Sequence, residues 1–277
     1  INRAIFYCKC YEIARKICDK ADLVHHMFPF GFRAGFSSLA AFGHLRNKPF
    51  LTGPIQYPQE HSDITDYAWA SGRAGPQVGL AYLLENSSVR LLTQFANVLH
   101  KATLKEAEAL VFDSRKTLML YKELYREILK GKILEIIPAG VETEAFKSVH
   151  PTRKDYFEIM TAGYLFRRKG IQYLIKALPL ALEDFGKVRL TIVGDGPYKL
   201  ELVKLVEELS LGDLVSFEGR VSRSKIVNYY VNCDVYIQPS LSETFPSAIR
   251  EAMAVGRPVI ATDVGFVREH ITDGKNG

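Results

Sequence analysis

Two glutamates and a run of cations are the residues of this chain whose types and spacing point to chemistry. Glu243 and Glu251 have seven residues between them in the stretch from Ser240 to Gly265. Glu243 falls in a loop after an apolar run, and Glu251 one turn into the helix that follows, so the two carboxylates bracket a helix amino terminus. Such a terminus offers free N–H groups and a positive dipole end, which suits a diphosphate. An ionised carboxylate beside it only accepts hydrogen bonds, which suits the vicinal hydroxyls of a sugar. Read alone, the same pair is also an exposed helix glutamate and a loop glutamate.

The cations are Arg167, Arg168 and Lys169, between Gly163 and Gly170, at the end of one strand and just before a helix. There they can meet phosphate oxygens, although a lone basic loop is also an ordinary solvated face. Gly194-Asp195-Gly196-Pro197 is a tight turn after a strand. Lys199 stands where a dinucleotide fingerprint has its third glycine, so the turn is weak support for NAD. In the first half, His25 and His26 end a strand, with Arg33 shortly after. An imidazole there can bind an acceptor or move a proton, and the same pattern fits plain packing. Gly53-Pro54-Ile55-Gln56 ends the next strand, and His61 is a weaker candidate.

The elements that must position these groups alternate between helical and extended periods, which predicts βα units and parallel sheets. In the second half the predicted strands are Phe157 to Leu165, Val188 to Gly194, Leu214 to Phe217, Val235 to Pro239 and Pro258 to Thr262. Helical faces run through Ile171, Leu174, Ile175 and Leu178, then Leu202, Leu205, Val206 and Leu209. Gly212 is expected to cap the second of these. Ser222 is expected to cap the next helix, and a last helix spans Ser247 to Val255 before Gly256 and Pro258. This is a doubly wound sheet.

The first half is less regular. It offers a helical stripe at Phe6, Cys10, Ile13 and Ile17, and strands at Leu23 to Met27, Pro49 to Gly53, Ala109 to Asp113 and Ile133 to Ile137. Helices are expected from Leu91 to Lys105 and through Leu118, Tyr121, Tyr125 and Ile128, and Tyr57 to Gly79 reads as an irregular connection. Patterning lapses between Glu144 and Thr152, so the expected domains are 1–148 and 149–277, with a crevice between the carboxyl edges of their sheets.

From Ile136 to Gly277 the sequence resembles the family-4 glycosyltransferases, which have the GT-B fold. The likeness includes Pro138 to Phe146, the spaced glutamates, Gly256 to Thr262, Glu269, and Asp273 to Gly277. The resemblance implies two Rossmann-like domains and transfer of a sugar from a nucleotide-diphosphate donor, UDP- or GDP-linked, with retention of configuration and without metal or other cofactor. It implies that Lys169 pairs with the donor diphosphate and Glu243 lies beside the donor sugar. Phe245, Ser247 and Ala248, with Thr244 in the same loop, line the diphosphate. Glu251 grips the ribose, and the backbone at Arg220 and Val221 holds the base. His26 is the acceptor-side catalytic candidate.

The chain departs from the family pattern at Tyr164, where members carry arginine, and Arg167 or Arg168 is the substitute. Thr244 and Pro246 replace common glycines, and Pro246 removes one N–H donor. The family's first strand is expected to precede Ile1 and its closing helix to follow Gly277. A sugar-nucleotide epimerase of the same fold, an NAD dehydrogenase and a non-catalytic sugar-nucleotide-binding subunit stay open beside transfer; Tyr164 favours the last.

Composition narrows the partners. The 277 residues are 47% hydrophobic and 24% charged, with a net charge of +5. That excess is too small to argue for nucleic acid and suits an anionic small ligand or peripheral docking on an acidic membrane. The resemblance leaves a glycan, a lipid-linked or a small-molecule acceptor open. The longest apolar stretch, Phe28 to Gly43, is broken by Arg33 and too short to span a bilayer. Cys8, Cys10, Cys18 and Cys233 lack metal-site spacing and read as thiols of a reducing compartment, so the expected location is cytoplasmic. The chain holds no Asp-x-Asp and no P-loop motif.

Overall fold

A computed structural model of the chain describes residues 20–26, 48–55, 98–146, 152, 154–243 and 246–277. The described residues form two units, divided between Ala139 and Gly140. The division falls upstream of the 148/149 boundary expected from patterning. A 3-10 turn at Thr143–Phe146 packs on helices of the second unit and belongs with it.

In the first unit β1 (Val24–His26), β2 (Phe50–Ile55), β3 (Ala109–Phe112) and β4 (Ile133–Ile136) pair in parallel in that order. Residues 98–106 are helical. Helices α1 (Arg115–Leu124) and α2 (Arg126–Leu129) make the crossover from β3 to β4 that a parallel pair requires. Ser114 starts α1 by accepting the Thr117 amide at 3.0 Å. Phe50, Ile55, Leu104, Leu110, Phe112 and Leu118 form the core.

In the second unit β5 (Phe157–Ala162), β6 (Val188–Val193), β7 (Val215–Gly219), β8 (Val235–Gln238) and β9 (Val259–Ala261) form one parallel sheet in the order β7-β6-β5-β8-β9. Helices α3 (Ile171–Phe185) and α4 (Lys199–Glu208) cover one face. Helices α5 (Arg223–Asn232) and α6 (Ser247–Ala254) cover the other, and a short α7 (Val267–His270) joins them there. Leu190 and Ile192 are fully buried between β6's neighbours and α3 and α4; truncating either to alanine is expected to cost ~2–5 kcal/mol.

Ser222 caps α5 as expected, accepting the Lys225 amide at 3.3 Å. One expectation is corrected. Helix α4 ends at Glu208, and the left-handed residue that releases the chain is Ser210 (φ 55), not Gly212. Helix α3 runs on through Pro179, which forgoes one backbone hydrogen bond while Leu174, Ile175 and Leu178 hold the helix to the sheet. Among the described residues no helix is long and apolar enough to cross a membrane.

Candidate functional site

The order of the second sheet places a switch point between β5 and β8. From β5 the chain leaves through α3 towards β6; from β8 it leaves through α6 towards β9. Loops that diverge this way open a gap at the carboxyl ends of the strands, where ligands of such sheets bind. The loop after β5 carries the basic run, and the loop after β8 carries Glu243.

Glycines let these loops touch. Gly170 has φ 70, and a Cβ on it would lie 1.8 Å from the Pro239 carbonyl oxygen. Gly194 has φ 139, and a Cβ there would lie 1.8 Å from the Gly163 oxygen. Neither position accepts a larger residue without moving backbone. The Leu241 amide donates to the Arg168 carbonyl at 2.7 Å, which fastens the β8 loop to the basic turn Arg167–Lys169.

In that setting the Lys169 ammonium reaches back over Gly163 and pairs with Glu243 Oε1. Arg168 Nη1 stands 3.7 Å from Glu243 Oε2 and donates to the Ser242 carbonyl at 3.1 Å. The Lys169 and Glu243 side chains are 13% and 6% exposed, so their charges are largely withdrawn from water. Removing one partner of such a pair leaves the other poorly solvated. Two further hydrogen bonds support the carboxylate: Gln238 Nε2 donates to Ser240 Oγ at 2.7 Å, and Ser240 Oγ donates to Glu243 Oε1 at 3.1 Å. Thr262, at the end of β9, donates its hydroxyl to the Ser240 carbonyl.

Beyond Glu243, α6 begins at Ser247 with Pro246 at its N-cap and no side-chain acceptor there. The first amides of a helix have no intrahelical acceptor, so this end is suited to an anion. Ser247 is exposed and Ala248 half-buried. Glu251, half-buried on the next turn, accepts the Tyr230 hydroxyl at 2.9 Å. The Tyr230 ring lies 5.6 Å from that of Tyr236, whose hydroxyl is 2.5 Å from Gln238 Oε1. Burial pushes the Tyr236 phenol far up, and the charges of Glu243 and Glu251 add to that rise.

The other candidates fall as follows. Arg167 is exposed on the basic turn, and its carbonyl accepts from Gln172 Nε2 at 3.1 Å; its neighbour Arg168 is the arginine that faces Glu243. Arg220 is exposed and Val221 half-buried just past the end of β7. His26 is the last residue of β1, and its side chain lies outside the described residues. A ring nitrogen of His25 is 3.0 Å from the Gly53 carbonyl oxygen. Thr244, Phe245, Arg33, Gln56 and His61 lie outside the described residues. Sequence reasoning missed Tyr230, Tyr236, Gln238 and Ser240. Gln238 offered a signal, since an amide inside a buried parallel strand must find partners. A cavity of about 580 Å³ lies elsewhere, lined by Lys154, Glu158, Arg189, Thr191, Ser216 and Tyr229 among others.

This geometry can be set beside known proteins. Residues 142–277 match the model of the family described as glycosyl transferases group 1. The match covers just under half of the chain, all of it in the second unit. Its relatives include the phosphatidylinositol N-acetylglucosaminyltransferase gpi3 subunit of Schizosaccharomyces pombe, 34% identical over 146 residues, which are 52% of this chain and 32% of that protein. D-inositol 3-phosphate glycosyltransferase of Paenarthrobacter aurescens is 31% identical over 156 residues, 52% of this chain and 38% of that one. The chain thus spans less than half the length of either relative.

Solved structures agree over nearly the whole chain. Sucrose-phosphate synthase from Thermosynechococcus elongatus gives a TM-score of 0.63 at 23% identity, covering 96% of this chain and 62% of that one. Anabaena HepE, solved with UDP-glucose, gives 0.64 at 19%, covering 98% and 66%. These likenesses show the fold: two parallel-sheet α/β domains of the GT-B kind.

Proposed function

We propose that the protein carrying this chain transfers a sugar from a UDP- or GDP-sugar to a hydroxyl, retaining the anomeric configuration and using no metal. The reading rests on one observation: the Lys169–Glu243 pair, drawn from loops on either side of a switch point, beside the uncapped amino end of α6. As the bond from the anomeric carbon to the diphosphate breaks, the electron pair stays on the leaving phosphate. Lys169 and the amides of Ser247 and Ala248 oppose that growing charge, and Arg168 adds a second cation nearby. Such donors act on the transition state because the charge exists mainly there. Glu243, an anion that the diphosphate repels, takes hydrogen bonds from the sugar hydroxyls, and Glu251 holds the ribose.

Relatives named for phosphatidylinositol and for D-inositol 3-phosphate make an inositol-bearing acceptor the first to test. The net charge of +5 supports peripheral contact with an acidic membrane on its cytoplasmic side. The test is a panel of UDP-N-acetylglucosamine, UDP-glucose, GDP-mannose and NADH, followed by thermal stabilisation and by release of the nucleotide diphosphate with and without inositol phosphates. A bound donor raises stability by mass action. Stabilisation by a nucleotide sugar and acceptor-dependent release support transfer. Release of free sugar without an acceptor means the epimerase reading, and stabilisation by NADH alone overturns the assignment.

A further inference from the structure

We propose that Tyr236, Gln238 and Ser240 form a buried relay that positions Glu243, and that Tyr230 positions Glu251 in the same way; the proposal rests on the donor-site reading above. All three relay side chains belong to β8 or the residues just after it, and each is at most 2% exposed. Their hydrogen bonds run in one direction. Tyr236 donates to Gln238 Oε1 at 2.5 Å, Gln238 Nε2 donates to Ser240 Oγ at 2.7 Å, and Ser240 donates to Glu243 Oε1 at 3.1 Å.

The polarity of this chain is not free. With the Gln238 amide turned over, Nε2 would donate to the phenol, the phenol to the Ala162 carbonyl 3.3 Å away, and Ser240 to Gln238. Glu243 would then lose its hydroxyl donor. An ionised carboxylate can only accept, so Glu243 selects the direction in which Ser240 donates to it. The consequence is a second anchor on the oxygen that Lys169 also holds. When a diphosphate draws the ammonium away, Ser240 keeps Glu243 in place instead of letting it follow the lysine. Tyr230 acts likewise one helix away, through its 2.9 Å bond to Glu251 and its ring contact with Tyr236. These are positioning residues: they reach the donor only through the carboxylates.

The experiment uses the full-length protein and whichever of UDP-N-acetylglucosamine, UDP-glucose and GDP-mannose it consumes fastest. Ser240→Ala and Gln238→Leu are expected to lower kcat ~10- to 100-fold, the scale of a lost hydrogen bond to a charged group, with donor KM and the melting temperature little changed. Tyr230→Phe is expected to raise donor KM about tenfold and to spare kcat. Lys169→Ala is the control for the site itself. Ser240→Ala with kcat within twofold of wild type, while Lys169→Ala is strongly impaired, overturns the relay and leaves the site standing. Full activity of Lys169→Ala overturns the site reading. Should Gln238→Leu fail to fold, Ser240→Ala decides alone, since it removes a single oxygen. A fall in kcat with a rise in KM and a lowered melting temperature would mark a structural role and also refute the proposal.

Discussion

Strand β5 has a lysine–glutamate pair near each end, and the two pairs differ in what they leave available. Near its start, Lys154 and Glu158 are four residues apart and meet at 2.6 Å. Glu158 also accepts the Thr191 hydroxyl at 2.6 Å, and its amide donates to Asp234 at 2.7 Å. The Lys154 ammonium lies 5.0 Å from the centre of the Tyr156 ring. Burial alone would lower its pKa, but the hydrogen bond and charge of Glu158 outweigh that and raise it. Past the end of β5, Lys169 meets Glu243 across 74 residues of sequence, between diverging loops and next to a helix end with no side-chain cap. A cavity of about 580 Å³ opens at the first pair. Space therefore does not single out the proposed donor site; the donors held at the carboxyl edge, where the sheet's connections part, are what support it.

Substitutions at the two pairs put that contrast at risk. Lys169→Ala is expected to lower kcat ~10²–10³-fold with the fold intact by circular dichroism; retained turnover would erase the distinction. Glu158→Ala is expected to lower stability by about 2–3 kcal/mol, somewhat less than for a fully buried pair because Lys154 can turn to water. Urea titration measures that loss, and turnover below the melting range should stay within twofold. Glu251→Ala, on the donor side, is expected to weaken donor binding by ~1.5–3 kcal/mol, read by calorimetry. Ser222→Ala removes the cap of α5 and is expected to cost ~1 kcal/mol, read by urea titration.

A pH dependence is also expected, from the core that α5 and α6 bury against the sheet. Burial pushes the Cys233 thiol from 9.0 up to about 12. The folded state keeps a proton that the unfolded state loses, so this contribution is complete below pH 9 and declines as pH rises from 9 towards 12. Stability followed by urea titration should fall over that window, and Cys233→Ala should flatten the fall. Peptide mapping after iodoacetamide at pH 8 should find Cys233 modified only in denaturant.

The sequence determined what depends on near neighbours. Alternating periods set the parallel sheets, Ser222 capped its helix, and Glu251 lay on the second turn of a helix opening at Ser247. These rules act over two to four residues, so they survive without knowledge of the rest of the chain. The tertiary structure decided the remainder. It seated β8 beside β5, and so brought Glu243 to Lys169 and chose Arg168 over Arg167 as the facing arginine. It also aligned Tyr236, Gln238 and Ser240 into one hydrogen-bonded line, and put the left-handed turn at Ser210 instead of Gly212. Contacts across 74 residues follow from the order of strands in the sheet, and that order is settled by packing both faces at once, which no local pattern encodes.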